Sequence, residues 1–201
     1  MQPVETYDRL MAGRGGAADR FDCHVAASVL ALAGAEEGGL CAGSGLAGGE
    51  LAFFVEALFA DAGWLLEPIA ACEAPERGEE EASLLHLLQR FATGRSALEP
   101  YFAAMVARRA QRPNHLWQDL GLQSRDELGL LMRRHFAPLA ARNHQDMKWK
   151  KFFYRTICAD AAYALCTAPS CSECCDFEAC FGEETGESLL ARTRRAAEAA
   201  I

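Results

Sequence analysis

Apolar residues recur at intervals of three and four along almost every segment of this chain. That is the period of an α-helix that buries one face. The clearest stripe lies between Glu50 and Leu66 and consists of Leu51, Phe54, Val55, Leu58, Phe59 and Leu65. Alternating or β-branched runs, which are typical of strands, are few. The sequence therefore predicts an all-α protein, and 201 residues, 51% of them hydrophobic, suffice for a single domain with a buried core.

Local signals predict several helix boundaries. Asp22 is expected to cap a helix over residues 23–33, and the glycine-rich residues 38–49 are expected to form a flexible link. Ser96 and Ser124 each precede a glutamate by three residues, a capping-box pattern that predicts a helix start at both serines.

The acidic run over residues 73–81 carries five glutamates, a proline and a glycine. This composition predicts a solvated loop. A short helix over residues 84–92 is expected to follow it, and a final surface helix is expected over roughly residues 186–200.

A helix expected from about Asn143 has two ordered faces. Its apolar face follows the buried-helix pattern and comprises Trp149, Phe152, Phe153, Thr156 and Ile157. At 100° per residue, a second set falls within one quadrant of the opposite side and consists of Lys148, Lys151, Arg155 and Cys158. The helix therefore presents a cationic stripe, which is either an ordinary solvated face or a site for an anion or a docking partner.

The charge distribution restricts the classes of partner. The formal net charge is -8, yet residues 101–155 alone sum to +7. An acidic chain lacks the clustered cationic surface that general nucleic-acid binding needs, so no nucleic-acid partner is expected. We interpret the basic segment as a site for a small anion or an anionic partner.

The sequence also predicts a cytoplasmic protein without a membrane partner. The first residues lack the basic region and apolar run of a secretory signal. The longest apolar stretch, residues 25–35, is far shorter than the roughly 20 residues that a spanning helix needs.

Four cysteines near the C-terminal end carry the strongest functional signal. The segment has the spacing Cys166-x4-Cys171-x2-Cys174-x5-Cys180, with Cys175 as a fifth thiol inside it. In a cytosolic chain with nine cysteines, metal ligation explains such a cluster better than disulfides do. No basic residue lies within the segment, so a metal or iron–sulfur core would have to supply the charge that favours thiolates.

Spacing alone leaves the metal open. Structural zinc sites typically use two short knuckles, and only one x2 knuckle is present. The x4 and x2 spacings match plant-type iron–sulfur proteins, although the nearby fourth cysteine departs from that pattern. Spacing therefore favours iron–sulfur over zinc, and a reduced, metal-free thiol cluster is the third alternative.

Three stretches together resemble the NifQ family. They are the segment His115-Leu116-Trp117-Gln118-Asp119-Leu120-Gly121, the run from Met147 to Arg155, and the four-cysteine loop with its exit Cys180-Phe181-Gly182-Glu183. The resemblance extends from about Arg112 to Leu190. It suggests one domain over residues 1–201, with a variable helical part at 1–110 and a family-like segment at 111–190 that contains the cluster-binding loop 166–180.

The resemblance implies a carrier rather than an enzyme. Such a protein holds an iron–sulfur cluster, acquires molybdenum on it and supplies the metal for the nitrogenase iron–molybdenum cofactor. By resemblance, Cys166, Cys171, Cys174 and Cys180 are the cluster ligands, and the partners are the cofactor scaffold complex and the nitrogenase iron protein. Molybdate or another molybdenum source supplies the metal.

Other residues have weaker candidate roles. Lys148, Lys151 and Arg155 are expected to attract an anionic form of molybdenum or to dock a partner. The candidate accessory ligands of a bound metal are Cys158, Cys175 and His144. Asp176 and Glu178 are further candidates for a molybdenum atom. The isolated thiols Cys23, Cys41 and Cys72 are assigned no role. Two other function classes remain open: a zinc-stabilised interaction module and an iron–sulfur electron-transfer protein.

Overall fold

The computed structural model describes residues 1–66, 69, 72–160, 184 and 186–199. Within these residues the protein is helical, without a β-strand, in agreement with the predicted all-α class. The described helices are α1 Pro3–Ala12, α2 Arg20–Ala35, α3 Gly39–Ser44, α4 Gly48–Leu58, α5 Gly63–Leu66, α6 Glu79–Arg90, α7 Glu99–Ala110, α8 Leu116–Asp119, α9 Arg125–His135, α10 Ala137–Arg142, α11 Trp149–Asp160 and α12 Leu189–Glu198. Among the described helices, none is long and apolar enough to cross a membrane.

Helix α2 forms the centre of the core. Its residues from Cys23 to Ala33 are all buried or nearly so, apart from His24, and the helix packs against α1, α3 and α12. Its cap is Asp19, whose side chain accepts hydrogen bonds from the backbone N–H groups of Phe21 and Asp22 at 2.9 and 3.1 Å. The predicted cap at Asp22 is therefore wrong.

Asp22 has a different structural role. It lies inside α2, where its carboxylate is 3.0 Å from Nε2 of His135 and 2.9 Å from Nε of Arg134. This buried contact joins α2 to α9, and the local sequence signal could not distinguish it from a helix cap.

The glycine-rich residues 38–49 form helix α3 and the start of α4 rather than a flexible link. Gly43 permits the close packing of α3 on α2, because a Cβ atom there would lie 2.7 Å from the Cα atom of Ala33. Gly45, with φ of 79°, ends the helix in the left-handed conformation. Cys41 on α3 is paired with Cys72 in a disulfide, so these two residues are not the unconnected thiols that the sequence predicted.

The apolar stripe between Glu50 and Leu66 is buried, as predicted, but it belongs to two helices. Helix α4 ends at Leu58, and Phe59 caps it in an extended conformation before α5 begins at Gly63. All six apolar side chains of the stripe lie in the core. The spacing of the apolar residues therefore predicted the buried face correctly, although it did not predict the break between α4 and α5.

The acidic segment is only partly a loop. Helix α6 begins at Glu79, five residues before the predicted start, and Glu81 is buried within it. Burial raises the pKa of Glu81, although the nearby guanidinium groups of Arg108 and Arg77 oppose that shift. Glu81 is therefore packed against Arg108 of α7, whereas the other four glutamates of the acidic run are exposed to solvent as predicted.

The two capping-box predictions have different outcomes. Ser124 caps α9 by accepting a hydrogen bond from the Glu127 N–H, as expected. At the other site, α7 begins at Glu99 rather than after Ser96. The Glu99 carboxylate accepts hydrogen bonds from the N–H groups of Gly94 and Arg95, at 2.7 and 3.2 Å, and from the Thr93 hydroxyl.

Helix α11 begins at Trp149, six residues after the predicted start at Asn143. The preceding residues form a turn in which Asp146 has a φ of 55°, outside the α-helical region. The predicted apolar face is confirmed for Trp149, Phe152 and Phe153, which are buried. Thr156 and Ile157 are partly buried.

The final helix is confirmed, with narrower bounds than predicted. Helix α12 packs on α1, α2 and α8 through a face that includes the buried Leu190. Its arginines at positions 192, 194 and 195 are exposed, so the helix lies on the surface as expected.

The Glu99 carboxylate gives a testable contribution to stability. Burial opposes its ionisation, but the hydrogen bonds at Thr93, Gly94 and Arg95 outweigh burial and hold its pKa below the ordinary 4.5. We expect Glu99→Gln to lower the free energy of unfolding at pH 7 by about 1–3 kcal/mol, because the charged acceptor is lost. Chemical denaturation measures this loss.

The difference should depend on pH in a defined direction. A depressed carboxyl pKa stabilises the fold above its unfolded value, and that stabilisation is lost as the pH falls through the folded pKa. The gap between the wild type and Glu99→Gln should therefore shrink below about pH 4.5. Glu56→Gln, on the exposed side of α4, is the control. A gap that is constant down to pH 3 would contradict this assignment.

Candidate metal centre

The four candidate ligands Cys166, Cys171, Cys174 and Cys180 lie outside the described residues, as do Cys175, Asp176 and Glu178. The structure describes the chain on either side of them. Helix α11 leads towards the segment and ends at Asp160, and the chain is described again at Glu184 and from Gly186. We call α11 the first flank of the cysteine segment, and Glu184 with residues 186–199 the second flank. The contacts of these two flanks are described below.

The first flank, α11, is fixed by aromatic packing. The rings of Trp149 and Phe152 meet edge to face at a centroid distance of 5.9 Å, and Phe153 packs against both. On the other side, Lys151 and Arg155 are exposed and Cys158 is partly buried. Lys148 precedes the helix, and its carbonyl accepts the first hydrogen bond, from Phe152 N–H.

A cleft of about 390 Å³ lies beside α11, and some of the residues predicted to bind an anion or a metal line it. Arg155 and His144 both line it, and Arg142 joins them from the end of α10. Lys148 and Lys151 are not among its lining residues. Among the residues that the structure describes, no acidic side chain lines this cleft, and its charged groups are the guanidinium groups of Arg142 and Arg155.

Arg142 was not identified from the sequence. Its guanidinium stacks over the Phe91 ring at 4.2 Å from the centroid, which fixes one face of the group. His144 is held near it by a 3.1 Å contact between Nδ1 and the Arg142 carbonyl. We name the cleft formed by Arg142, His144 and Arg155 the cationic cleft.

The second flank is anchored at Glu184. The Glu184 side chain is only 5% exposed, and its Oε1 lies 3.6 Å from Nδ1 of His115 and 3.7 Å from Nη1 of Arg125. Three residues further on, the side-chain amide of Gln118 donates to the Glu187 carbonyl at 3.2 Å. The segment around α8 therefore holds the chain where it leaves the cysteine-rich region.

Arg125 connects the two flanks. Its Nη2 donates to the carbonyls of Asp146 and Met147, at 2.6 and 3.0 Å, just before α11 begins. The same guanidinium faces Glu184 on the other flank. Sequence reasoning identified this region only as the start of α9, because no local pattern indicates a contact with residues 21 and 59 positions away.

A buried polar network fixes α11 against the rest of the fold. Asp119 is fully buried, and its carboxylate accepts from Lys150 Nζ at 2.7 Å and from Asn114 Nδ2 at 2.9 Å. Arg109, also fully buried, donates through Nε to the Asp119 carbonyl at 2.6 Å. Lys150 therefore belongs to a structural contact, whereas its neighbour Lys151 faces solvent.

The described residues contain no group of three histidine, cysteine or acidic side chains arranged to hold a metal ion. Cys23 illustrates why a buried thiol is a poor ligand. Burial, with Asp22 and Asp19 adding to it, raises the Cys23 pKa to about 11, so the thiolate is strongly disfavoured. His144 and Cys158 lie near α11, but their proposed accessory roles depend on residues outside the described part.

The Arg125 link predicts a local change in stability. We expect Arg125→Gln to release both flanks and to speed hydrogen exchange of the amides in residues 186–192 by about tenfold, equivalent to about 1.4 kcal/mol of opening free energy. Arg133→Gln, on an exposed position of the same helix, is the matched control. Equal exchange in both variants would show that Arg125 does not hold the second flank.

Comparison with known proteins identifies the family. The NifQ family model matches residues 25–182, a range that includes all four clustered cysteines. A NifQ homologue of Sinorhizobium fredii is 50% identical over 113 residues, covering 56% of this chain and 49% of the relative. NifQ of Rhodobacter capsulatus is 44% identical over 111 residues, 55% of this chain and 61% of the relative. NifQ of Azotobacter vinelandii is 40% identical over 108 residues, 54% of this chain and 55% of the relative.

These alignments span about half the length of the curated relatives. No solved structure matches the chain. The family match begins at residue 25, well before the segment on which the sequence resemblance rests. It covers most of the chain, and the described residues are helical as expected. The chain belongs to the NifQ family.

Proposed function

We propose that this protein carries molybdenum on an iron–sulfur cluster and supplies it for assembly of the nitrogenase iron–molybdenum cofactor, a role in nitrogen fixation. The observation that carries the proposal is the family match over a range that contains the x4, x2, x5 motif of four cysteines. The anchored flanks support it, because a cargo site must be presented by a stable body.

The chemistry of the donors fits an iron–sulfur group. Thiolate sulfur is a soft ligand that suits iron–sulfur clusters, and Cys166, Cys171, Cys174 and Cys180 would hold the cluster. A bound cluster would supply the iron and sulfide with which molybdenum is carried. The nearby acids at positions 173, 176 and 178 make uncompensated thiolates unfavourable, so binding of the cationic core should be coupled to ordering of the segment.

The cationic cleft supports the proposal that molybdenum reaches the protein as an anion. Molybdenum in water is available as an oxyanion, which positive side chains attract. Arg142, His144 and Arg155 line one cleft beside the helix that leads to the cysteines. In this proposal the cleft concentrates molybdate near the cluster. The exposed Lys151 contributes only a non-specific electrostatic attraction.

The proposal describes a carrier without catalytic turnover. Its partners would be the cofactor scaffold complex and the nitrogenase iron protein, met in the cytoplasm, and neither nucleic acid nor membrane is required. The basic side chains on α11 and α10 are the candidate docking surface for an acidic partner.

Cysteine substitution tests the cluster. Anaerobically purified protein should be brown and contain iron and sulfide, with molybdenum when the cells receive molybdate. Cys174→Ser should lose most of the iron, because it removes one of four ligands, whereas the adjacent Cys175→Ser should retain it. Iron, sulfide, molybdenum and zinc are measured together by chemical analysis and elemental spectroscopy.

The same preparation separates the alternative functions. A colourless protein filled with zinc would support an interaction module. Iron without molybdenum, together with reversible reduction, would support electron transfer. Either result would contradict the carrier proposal.

Neutralising the cationic cleft tests the metal route. In Arg142→Gln with Arg155→Gln, we expect the half-saturating molybdate concentration for loading to rise about tenfold, because the local field that concentrates the anion is removed. Iron content should be unchanged. Lys148→Gln with Lys151→Gln removes the same charge outside the cleft and is the matched control. Equal effects of the two double variants would contradict a role for the cleft itself.

A further inference from the structure

We propose a second site, outside the cysteine segment and the cationic cleft, in which Arg109 and Arg112 bind a tetrahedral dianion such as sulfate, phosphate or molybdate. The site is a cleft of about 500 Å³ between the end of α2, the end of α7 and the start of α8. It does not depend on the proposed carrier function.

Unsatisfied donors mark this cleft. Nη2 of Arg109 and Nε of Arg112 are both buried, and neither has a hydrogen-bond partner among the residues that the structure describes. Arg109 is fully buried and lines the cleft. Buried guanidinium N–H groups are rarely left without an acceptor, because their desolvation is then uncompensated. An acceptor-rich ligand in the cleft would supply what these two donors lack.

The arrangement of the two arginines suits an oxyanion. Arg112 lies three residues after Arg109, just beyond the end of α7, and its N–H donates to the Arg109 carbonyl at 3.1 Å. Guanidinium groups offer paired donors in a fixed fork that matches the oxygens of sulfate, phosphate or carboxylate. Two converging forks can contact several oxygens of a tetrahedral ion.

A carboxylate already occupies part of this position. Glu36 bridges the two arginines, with Oε1 2.7 Å from Arg109 Nη1 and Oε2 2.5 Å from Arg112 Nη2. The acidic group is therefore an internal substitute for an external anion. Its place at the C-terminal cap of α2 matters, because the backbone there is extended and is followed by Gly38 and Gly39, both with positive φ. The carboxylate can withdraw without unwinding the helix.

The local charge also favours an anion. The Asp119 carboxylate is paired with Lys150. Glu37, which also lines the cleft, is exposed, so water weakens its repulsion of an anion. Arg109 and Arg112 together face one inner carboxylate, Glu36, so one positive charge is left over with Glu36 in place and two once it withdraws. A dianion therefore compensates the site better than Glu36 alone.

Calorimetric titration of the metal-free 201-residue chain with sodium sulfate tests the site, because sulfate is not a source of molybdenum. We expect one sulfate per chain, bound about tenfold more tightly by Glu36→Gln, in which the internal competitor is uncharged. Arg112→Gln should bind at least about tenfold more weakly. Its side chain is 40% exposed, so the fold should tolerate the change. Arg112→Lys, which retains charge without the fork, should restore only part of the affinity.

Three controls make the result decisive. Arg142→Gln, in the cationic cleft, should leave sulfate affinity unchanged, and so should Cys174→Ser. Repeating the titration with molybdate should give the same ranking of the Glu36 and Arg112 variants. The proposal is overturned if neither the wild type nor Glu36→Gln binds sulfate, if Arg112→Gln binds as well as the wild type, or if Cys174→Ser abolishes binding. Failure here leaves the cysteine experiment unaffected, so the two proposals can be judged separately.

Discussion

The buried carboxylate of Asp119 constrains the arrangement of the C-terminal half of the fold. A fully buried charge is tolerated only when it is paired and hydrogen-bonded. Lys150 from α11 and Asn114 before α8 satisfy this one, while the Asp119 carbonyl accepts from Arg109 on α7. Three helices therefore meet around one residue. Because α11 leads towards the cysteine segment, the position of that segment's first flank depends on this contact.

Much of the fold follows from local sequence. The buried faces of α4 and α11 were predictable because apolar residues at helical spacing need a core wherever the helix happens to lie. The start of α9 was predictable because Ser124 satisfies backbone groups within three residues of itself. In each case the determining interactions lie within one or two turns of the chain, or involve burial alone.

The errors have a common physical cause, which is contact between distant residues. Asp22 has the sequence features of a cap, but a partner 113 positions away, His135, takes its side chain into the core. The expected start of α11 at Asn143 fails because Arg125 holds the carbonyls of Asp146 and Met147 in a turn. Similarly, Glu81 occurs in a run that resembles solvated chain, yet it faces Arg108 on α7. None of these partners can be inferred from local periodicity.

The candidate site shows the same difference between features that are local in sequence and features that need distant contacts. The four cysteines are neighbours in sequence, so a joint role as ligands could be predicted without a structure, and it stays a prediction. The grouping of cations was only half predictable: a helical projection correctly placed Arg155, but it could not find Arg142, which comes from another helix. The contacts of Glu184 with His115 and Arg125 join segments about 60 to 70 residues apart. They emerge only when the helices pack.

The anchoring of both flanks has a consequence for evolutionary change in the cysteine segment. The partners that hold the flanks, Asp119 and Arg125, lie on helices α8 and α9, well before the segment in the chain. Substitutions at these two positions would displace the ends between which the segment is held without changing any of its own residues. Selection that acts on the segment should therefore extend to these distant positions.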